Sequence, residues 1–189
     1  MKKIKTPLQD EQIKNLKVGE EVLLSGTIYT ARDQAHKRLV SAINQKKGLP
    51  VDLTGQIIYY CGPTPAPKGK VIGSCGPTTS SRMDEFTLAL LKAGLKAMIG
   101  KGRRSSEVAT AIKKYCAVYF LTYAGCGALL SNFVKEARVV AYPELGPEAM
   151  YRLLVEDFPL IVGIDNKGKS IYKGHPLSQS GGCPHFDRI

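Results

Sequence analysis

The chain has 189 residues, 43% of them hydrophobic, and this length and composition predict a single globular domain over residues 1–189. No apolar run approaches the roughly 20 residues that cross a membrane, and no apolar segment follows the basic start as in a signal peptide, so we expect a cytoplasmic protein without a membrane partner. A net charge of +11 favours an anionic substrate, an acidic partner or nucleic acid.

Nucleic acid is the weaker of these interpretations. The 27 Lys and Arg residues are spread along the chain, there is no Trp, and no basic block alternates with aromatic residues as a single-strand binder requires. The sequence therefore favours no nucleic-acid partner, although the net charge alone does not distinguish an anionic substrate, an acidic partner and nucleic acid.

The cysteines are odd in number and widely spaced: Cys61, Cys75, Cys116, Cys126 and Cys183. No Cys-x-x-Cys pair is present, so the pattern predicts buried free thiols and no iron-sulfur cluster held by this chain alone. Residues 183–187 combine Cys, His and Asp, but no second cluster supports a metal site there. We expect residues 176–189 to form a docked or flexible tail.

The first third of the chain is predicted to be rich in strands. A polar lead with a short helix after Asp10 precedes a strand over residues 21–30. A basic helix follows Arg32, and a second strand covers residues 56–61. Residues 62–70 contain three prolines and are predicted to form a loop.

From about residue 70 to 165, predicted strands and helices alternate. Strands are predicted at residues 71–72, 95–100, 117–122, 137–141 and 160–164. Helices are predicted after Asp84, over 106–115 with Ser105 as its cap, as a short turn over 125–130, and over 147–155 behind a proline. This alternation predicts an α/β fold with a largely parallel sheet.

The most informative stretch is residues 73–87, GSCGPTTSSRMDEFT. Ser81 followed three residues later by Asp84 predicts a capping box that opens a helix. Hydroxyls of Thr78 and Thr79 and the charge of Arg82 at this helix start predict a site for a carboxylate or phosphate. The simpler alternative is a capped helix with a solvated arginine; no glycine-rich nucleotide loop is present.

Arg32 lies where the strand over 21–30 meets its helix. In open α/β sheets such junctions line ligand crevices, whereas an arginine in a first helical turn is also an ordinary surface residue. His36, one turn later, faces either the site or solvent.

Three stretches together resemble a known family: residues 26–36 (GTIYTARDQAH), 76–84 (GPTTSSRMD) and 99–102 (IGKG). They are similar to the β subunit, or C-terminal domain, of the iron-sulfur class I fumarate hydratases and the related tartrate dehydratases. The order and spacing agree over about residues 5–175. Where the family often has Ala-Gly, this chain has Ser80 and Ser81.

The resemblance implies a swivelling β/β/α three-layer domain that closes over an active site shared with an α-type subunit. That partner would carry the [4Fe-4S] cluster, and none of the cysteines of this chain would be a metal ligand. The implied reaction is the reversible dehydration of (S)-malate to fumarate, with L-tartrate as the alternative substrate. An α2β2 assembly or a dimer of β chains is implied, and the chain would be inactive alone.

The resemblance also implies residue roles. Arg32, Arg82 and Lys101 would hold the substrate carboxylates, and Thr78 would exchange the proton at carbon. The role of Thr79 stays open, and for Asp84 we prefer a structural role, capping Ser81 and orienting Arg82. A binding module for nucleic acid or an acidic protein, and a stand-alone anion-binding protein, remain as alternatives.

Overall fold

The computed structural model describes residues 1–172, which form seven strands and five helices. The strands are β1 Lys2–Lys5, β2 Glu21–Thr30, β3 Ile57–Tyr59, β4 Ala97–Gly100, β5 Val118–Leu121, β6 Val134–Ala141 and β7 Met150–Ile164. The helices are α1 Asp10–Lys14, α2 Asp33–Asn44, α3 Asp84–Lys92, α4 Ser106–Lys114 and α5 Gly127–Leu130. The predicted tail and the Cys183 to Asp187 stretch lie outside the described residues.

The sheet closes on itself as a five-stranded barrel with two additional strands. Strands β2, β3, β4 and β5 are parallel neighbours in that order, and β7 runs antiparallel to both β5 and β2. Strand β1 adds beside β2 in parallel, and β6 adds beside β7 in an antiparallel pairing. The predicted α/β class is confirmed, but the sheet is mixed, because the 15-residue β7 returns antiparallel across it. The swivelling three-layer arrangement stays a prediction.

Both faces of the parallel strands are buried, which explains their continuous apolar sequences. One face fills the barrel interior with side chains that include Ile28, Tyr59 and Phe120. The other face packs against the helices through side chains that include Leu39 and Leu90. Strand β4, for example, sends Ile99 into the barrel and Met98 towards the helices. No helix of residues 1–172 is long and apolar enough to cross a membrane.

Two predicted elements are wrong. Residues 71–72 form no strand; Val71 is 49% exposed, and the neighbouring Ser74 is held by Thr64 through two hydrogen bonds, of 3.0 Å and 2.8 Å. The helix predicted over 147–155 is instead a 3₁₀ turn, Pro143–Glu148, followed by β7.

Candidate active site

The residues singled out from the sequence lie at one edge of the barrel, where the parallel strands end. Arg32 follows β2, Tyr60 follows β3, and Lys101 follows β4. Because the carboxyl ends of parallel neighbours lie side by side, these residues share one edge. The observed strand order therefore brings Arg32 and Lys101 to the same edge.

The Gly-Pro-Thr-Thr turn is attached to the ends of β3 and β4. The Thr78 amide donates to the carbonyl oxygen of Tyr60 at 2.6 Å. Thr79 forms an isolated parallel bridge with Lys101, while the amide of Ser80 donates to the Lys101 carbonyl at 3.0 Å. The Lys101 amide in turn donates to Ser80 Oγ at 3.0 Å. These bonds fix the backbones of Thr78, Thr79 and Lys101 relative to one another.

Asp33 brings the two predicted substrate-binding arginines together. Arg82 donates to both Asp33 carboxylate oxygens, with Nε at 3.0 Å from Oδ1. Arg32 Nε lies 3.9 Å from Asp33 Oδ2, and Arg32 Nη2 lies 4.0 Å from Glu148 Oε1. Glu148 also accepts a hydrogen bond from the Gln34 amide at 2.9 Å, at the start of α2. Both guanidinium groups are thus paired with carboxylates of this chain.

The charges around Asp33 keep it ionised. Partial burial raises the pKa of Asp33, but the hydrogen bonds and charge of Arg82, together with the charge of Arg32, lower it by more. The net pKa is therefore below the usual value. Arg32 Nε is buried and makes no hydrogen bond within residues 1–172. An arginine donor of this kind is suited to an added acceptor such as a carboxylate oxygen.

Gly62 leaves the space that the Arg32 side chain occupies. A Cβ at this position would lie 2.9 Å from Arg32 Cδ and 2.9 Å from the Pro147 carbonyl oxygen. The predicted loop that begins at Gly62 is confirmed as lacking helix and strand through residue 70. Residues 64–70 of this loop are exposed.

A groove opens beside the Thr79 and Lys101 pair. Its volume is about 440 Å³, and Leu121, Thr122 and Tyr172 also line it. Arg82 is half exposed, with 48% of its side-chain surface accessible, and the Arg32 side chain retains 25%. The candidate site is therefore open to solvent on this side.

Asp84 does have a structural role, but not the predicted one. It accepts from Arg104 Nε at 2.6 Å and from the Ser105 amide at 2.7 Å, and the 3₁₀ turn Ser80–Met83 takes the place of the capping box. The prediction that Asp84 orients Arg82 is wrong, since Asp33 is the carboxylate that binds Arg82.

His36 faces the interior rather than solvent. It is completely buried, its Nδ1 lies 2.9 Å from the Arg32 carbonyl oxygen, and its ring packs against Tyr60. Burial lowers the pKa of His36 to about 4, assisted by the charge of Arg104 and opposed by the hydrogen bond to Arg32. His36 is therefore neutral at pH 7 and is a part of the protein core behind Arg32.

Two of the four described thiols are shielded from solvent and protonated at pH 7. Cys61 and Cys75 are buried, and burial raises the pKa of both, that of Cys75 to about 11. A metal ligand must be the thiolate. Residues 1–172 contain no group of three or more His, Cys, Asp or Glu side chains able to hold a metal ion.

Comparison with known proteins now assigns the family. The model of the family described as "Fumarase C-terminus" matches residues 2–175. The chain belongs to the Fumarase C-terminus family. The resemblance predicted from the three sequence stretches is thereby confirmed.

Relatives of this Fumarase C-terminus chain carry two kinds of name. "Fumarate hydratase class I, aerobic" of Escherichia coli (strain K12) is 37% identical over 91% of this chain, which spans 32% of that relative. "Putative L(+)-tartrate dehydratase subunit beta" of Methanocaldococcus jannaschii is 41% identical, covering 88% of each chain. "L(+)-tartrate dehydratase subunit beta" of Escherichia coli (strain K12) is 36% identical, over 90% of this chain and 87% of that relative. The chain thus spans about a third of the class I enzyme and nearly the full length of both β subunits.

Proposed function

We propose that this chain is the β subunit of a two-subunit iron-sulfur hydro-lyase that interconverts (S)-malate and fumarate. Its family and the names of its relatives support hydro-lyase chemistry. L-tartrate is the second candidate substrate, favoured by the two relatives of matching length that are named as tartrate dehydratase β subunits.

A separate α-type partner is part of this proposal. The two relatives of matching length are both named as β subunits, which supports a second kind of subunit. The proposed assembly is α2β2 or contains a dimer of β chains, with the active site at the contact between the two kinds of subunit.

The observation that carries the proposal is the pairing of Arg32 and Arg82 around Asp33, next to Lys101 on the same barrel edge. Malate, fumarate and tartrate each carry two carboxylates. Two guanidinium groups can each grip a carboxylate with two parallel hydrogen bonds, and Lys101 adds a point charge. In this proposal the substrate takes up the remaining donors of Arg32 and Arg82.

The dehydration reaction explains why cations are needed. A proton leaves the carbon next to a carboxylate, and hydroxide leaves the adjacent carbon, so negative charge grows on that carboxylate during the reaction. Preorganised cations stabilise such charge most strongly where water is excluded. Arg32, Arg82 and Lys101 would perform this task.

Thr78 is proposed as the group that exchanges the proton. A threonine hydroxyl is a weak base, because it must first lose its own proton. The cations of this chain and a carboxylate of the partner would have to lower that cost. The hydrogen bond from the Thr78 amide to the Tyr60 carbonyl oxygen holds its backbone at the end of β3.

Cys61 and Cys75 are buried and protonated, which does not favour them as ligands of a [4Fe-4S] cluster. We therefore place the cluster in the α-type partner, where a Lewis-acidic iron would assist departure of the hydroxyl group. The contribution of this chain is substrate binding and proton exchange.

The test is an anaerobic reconstitution of this chain with its α-type partner, using each chain alone as the control. Turnover of malate and fumarate by the complex only would support the proposal, and preference for tartrate would select the second substrate. A well-formed complex without hydro-lyase activity on any of the three would refute it.

Single substitutions in the complex test the residue roles. We expect Thr78→Ala to reduce turnover by at least about a hundredfold, the lower end of general acid-base contributions. Thr110→Ala, an exposed threonine on α4, is the matched control.

For Arg82→Met we expect a raised KM. The control is Arg138→Met, which removes another exposed arginine. An unchanged KM and kcat in Arg82→Met would remove Arg82 from the site.

A further inference from the structure

Three buried polar side chains meet behind the candidate active site. They are His36 on α2, Tyr60 just after β3 and Arg104 just before α4. The His36 and Tyr60 rings lie 5.3 Å apart, edge to face, and Arg104 Cζ lies 5.3 Å from the centre of the Tyr60 ring. His36 and Tyr60 have 0% exposure, as does the Arg104 side chain.

Each of these side chains has one polar atom without a hydrogen bond to residues 1–172: His36 Nε2, Tyr60 Oη and Arg104 Nη1. The other polar atoms of the two nitrogen-bearing side chains are well bonded. Arg104 donates through Nε to Asp84 and through Nη2 to Thr87, both at 2.6 Å, and His36 Nδ1 bonds to the Arg32 carbonyl. Buried polar atoms are rarely left unpaired, and the His36 ring and the Arg104 guanidinium each lie 5.3 Å from the Tyr60 ring, so one shared partner can satisfy all three.

The hydrogen-bonding roles of the three atoms define that partner. The Arg32 carbonyl only accepts, so His36 Nδ1 carries the proton and the neutral ring presents Nε2 as an acceptor. Arg104 Nη1 only donates, whereas the Tyr60 hydroxyl can do either. The partner must therefore both donate and accept. Water does this, with two protons and two lone pairs, and it is typically bound in proteins through about three hydrogen bonds.

An anion is the competing occupant, because Arg104 is a cation. However, Arg104 is already paired with Asp84 at 2.6 Å, and the lone pair on His36 Nε2 would repel an anion. The lowered pKa of His36, to about 4, agrees with a neutral ring. The chemistry of the three atoms thus favours a neutral ligand.

We propose that His36, Tyr60 and Arg104 form a binding site for one internal water molecule, which accepts from Arg104 Nη1, donates to His36 Nε2 and exchanges a hydrogen bond with the Tyr60 hydroxyl. The water connects the backbone segments that carry Arg32 and Thr78. His36 binds the Arg32 carbonyl through both its amide and Nδ1, and the Tyr60 carbonyl binds the Thr78 amide. The proposal holds whether or not the chain acts on a dicarboxylate.

The first test is a crystal structure of the full chain at a resolution that defines ordered solvent, with a second crystal soaked in bromide. We expect one water-sized peak within about 2.7–3.2 Å of His36 Nε2, Tyr60 Oη and Arg104 Nη1, without anomalous signal from bromide. Bromide at this position would identify an anion site and overturn the proposal. A direct hydrogen bond between Tyr60 and His36 with no peak would also overturn it.

The second test is ¹⁵N NMR of the histidine rings in solution, which needs no variant to fold. The His36 signals are assigned as those lost in His36→Asn, whose amide can still donate to the Arg32 carbonyl. We expect a neutral ring protonated at Nδ1, with Nε2 shifted as in a hydrogen-bonded acceptor. Tyr60→Phe should move the Nε2 signal, whereas Tyr119→Phe, which removes a hydroxyl bonded to Ser80 and Gly102, should not. A proton on Nε2, or no effect of Tyr60→Phe, would contradict the water site.

Discussion

Asp33 is the residue on which the geometry of the candidate site depends. It binds Arg82 with both carboxylate oxygens and lies 3.9 Å from Arg32 Nε. The sequence placed Asp33 next to Arg32 but gave no sign of its contact with Arg82, 49 residues away. The same applies to Glu148, which contacts Arg32 from the 3₁₀ turn between β6 and β7. Sequence patterns identify which residues carry charge, but pairing between distant segments depends on strand order.

Asp33→Asn should weaken substrate binding by the reconstituted complex. The amide cannot hold Arg82 with two charge-assisted hydrogen bonds, so the guanidinium loses its fixed position. Because Arg82 is half exposed, we expect a loss of about 1 kcal/mol, or about fivefold in kcat/KM, mainly through KM. Glu85→Gln, an exposed carboxylate on α3, is the control. Equal effects of the two substitutions would show that only net charge matters.

His36 should make the stability of the protein depend on pH. Its pKa is about 4 in the folded state against about 6.5 when unfolded, so the unfolded chain binds the proton more readily. The stabilisation from a neutral His36 is complete above pH 6.5 and is lost as the pH falls towards 4, by about 3 kcal/mol.

Urea unfolding at intervals between pH 7 and pH 4 measures this effect. The difference between wild type and His36→Asn isolates the histidine from every other group that titrates in this window. If the two proteins lose stability in parallel from pH 6.5 to 4, His36 is not responsible.

At the scale of elements, regular patterns were predictable and irregular ones were not. The strand predicted over residues 21–30 has those bounds in the structure, and Ser105 caps α4 by accepting from the Val108 amide at 3.3 Å. In β7 the buried side chains do not alternate strictly, because Asp157 has a φ of 49° and the β2 partner shifts register between Leu24 and Gly26. The helix over 147–155 is predicted because Pro147 is typical of a first helical position, but Pro147 lies in a 3₁₀ turn before the strand. The alternation that would have indicated a strand is interrupted by the bulge.

The ion pair between Asp84 and Arg104 joins α3 to the start of α4. Its arginine side chain is fully buried, so Asp84→Asn would leave an uncompensated charge in the core. We expect a loss of about 3 kcal/mol in the free energy of unfolding, measured by urea denaturation.

The control is Asp10→Asn, which breaks the pair between Asp10 and Lys96. That pair is also short, at 2.7 Å, but Asp10 is 53% exposed, and the expected loss is below about 1 kcal/mol. If Asp84→Asn lost no more stability than Asp10→Asn, the charge of Arg104 would be compensated by other groups.

At the scale of the whole molecule, the sequence predicted the α/β class of fold but not the closure of the sheet. Alternating strands and helices indicated parallel neighbours, and β2 to β5 are parallel. Closure depends on β7, whose two edges bind β2 on one side and β5 and β6 on the other. The pairing of β2 with β7, which joins residues more than 100 positions apart, leaves no local pattern in the sequence.

The net charge of +11 leaves one competing interpretation, a basic module that binds nucleic acid, and salt dependence separates it from the proposed enzyme. Nonspecific binding through several phosphate contacts should fall steeply with salt, and removing one exposed arginine should change the slope by only about one charge.

A dicarboxylate held in contact with Arg32, Arg82 and Lys101 is bound locally and is screened less. We therefore expect KM for the substrate to rise only several-fold between about 50 and 300 mM salt. Arg82→Met should raise KM further at every salt concentration. The measurement is KM of the complex beside fluorescence-detected binding of a random oligonucleotide to the same preparations, with Arg138→Met as the matched loss of one charge. Tight oligonucleotide binding that falls steeply with salt and responds equally to both substitutions, in a complex without hydro-lyase activity, would favour the binding module.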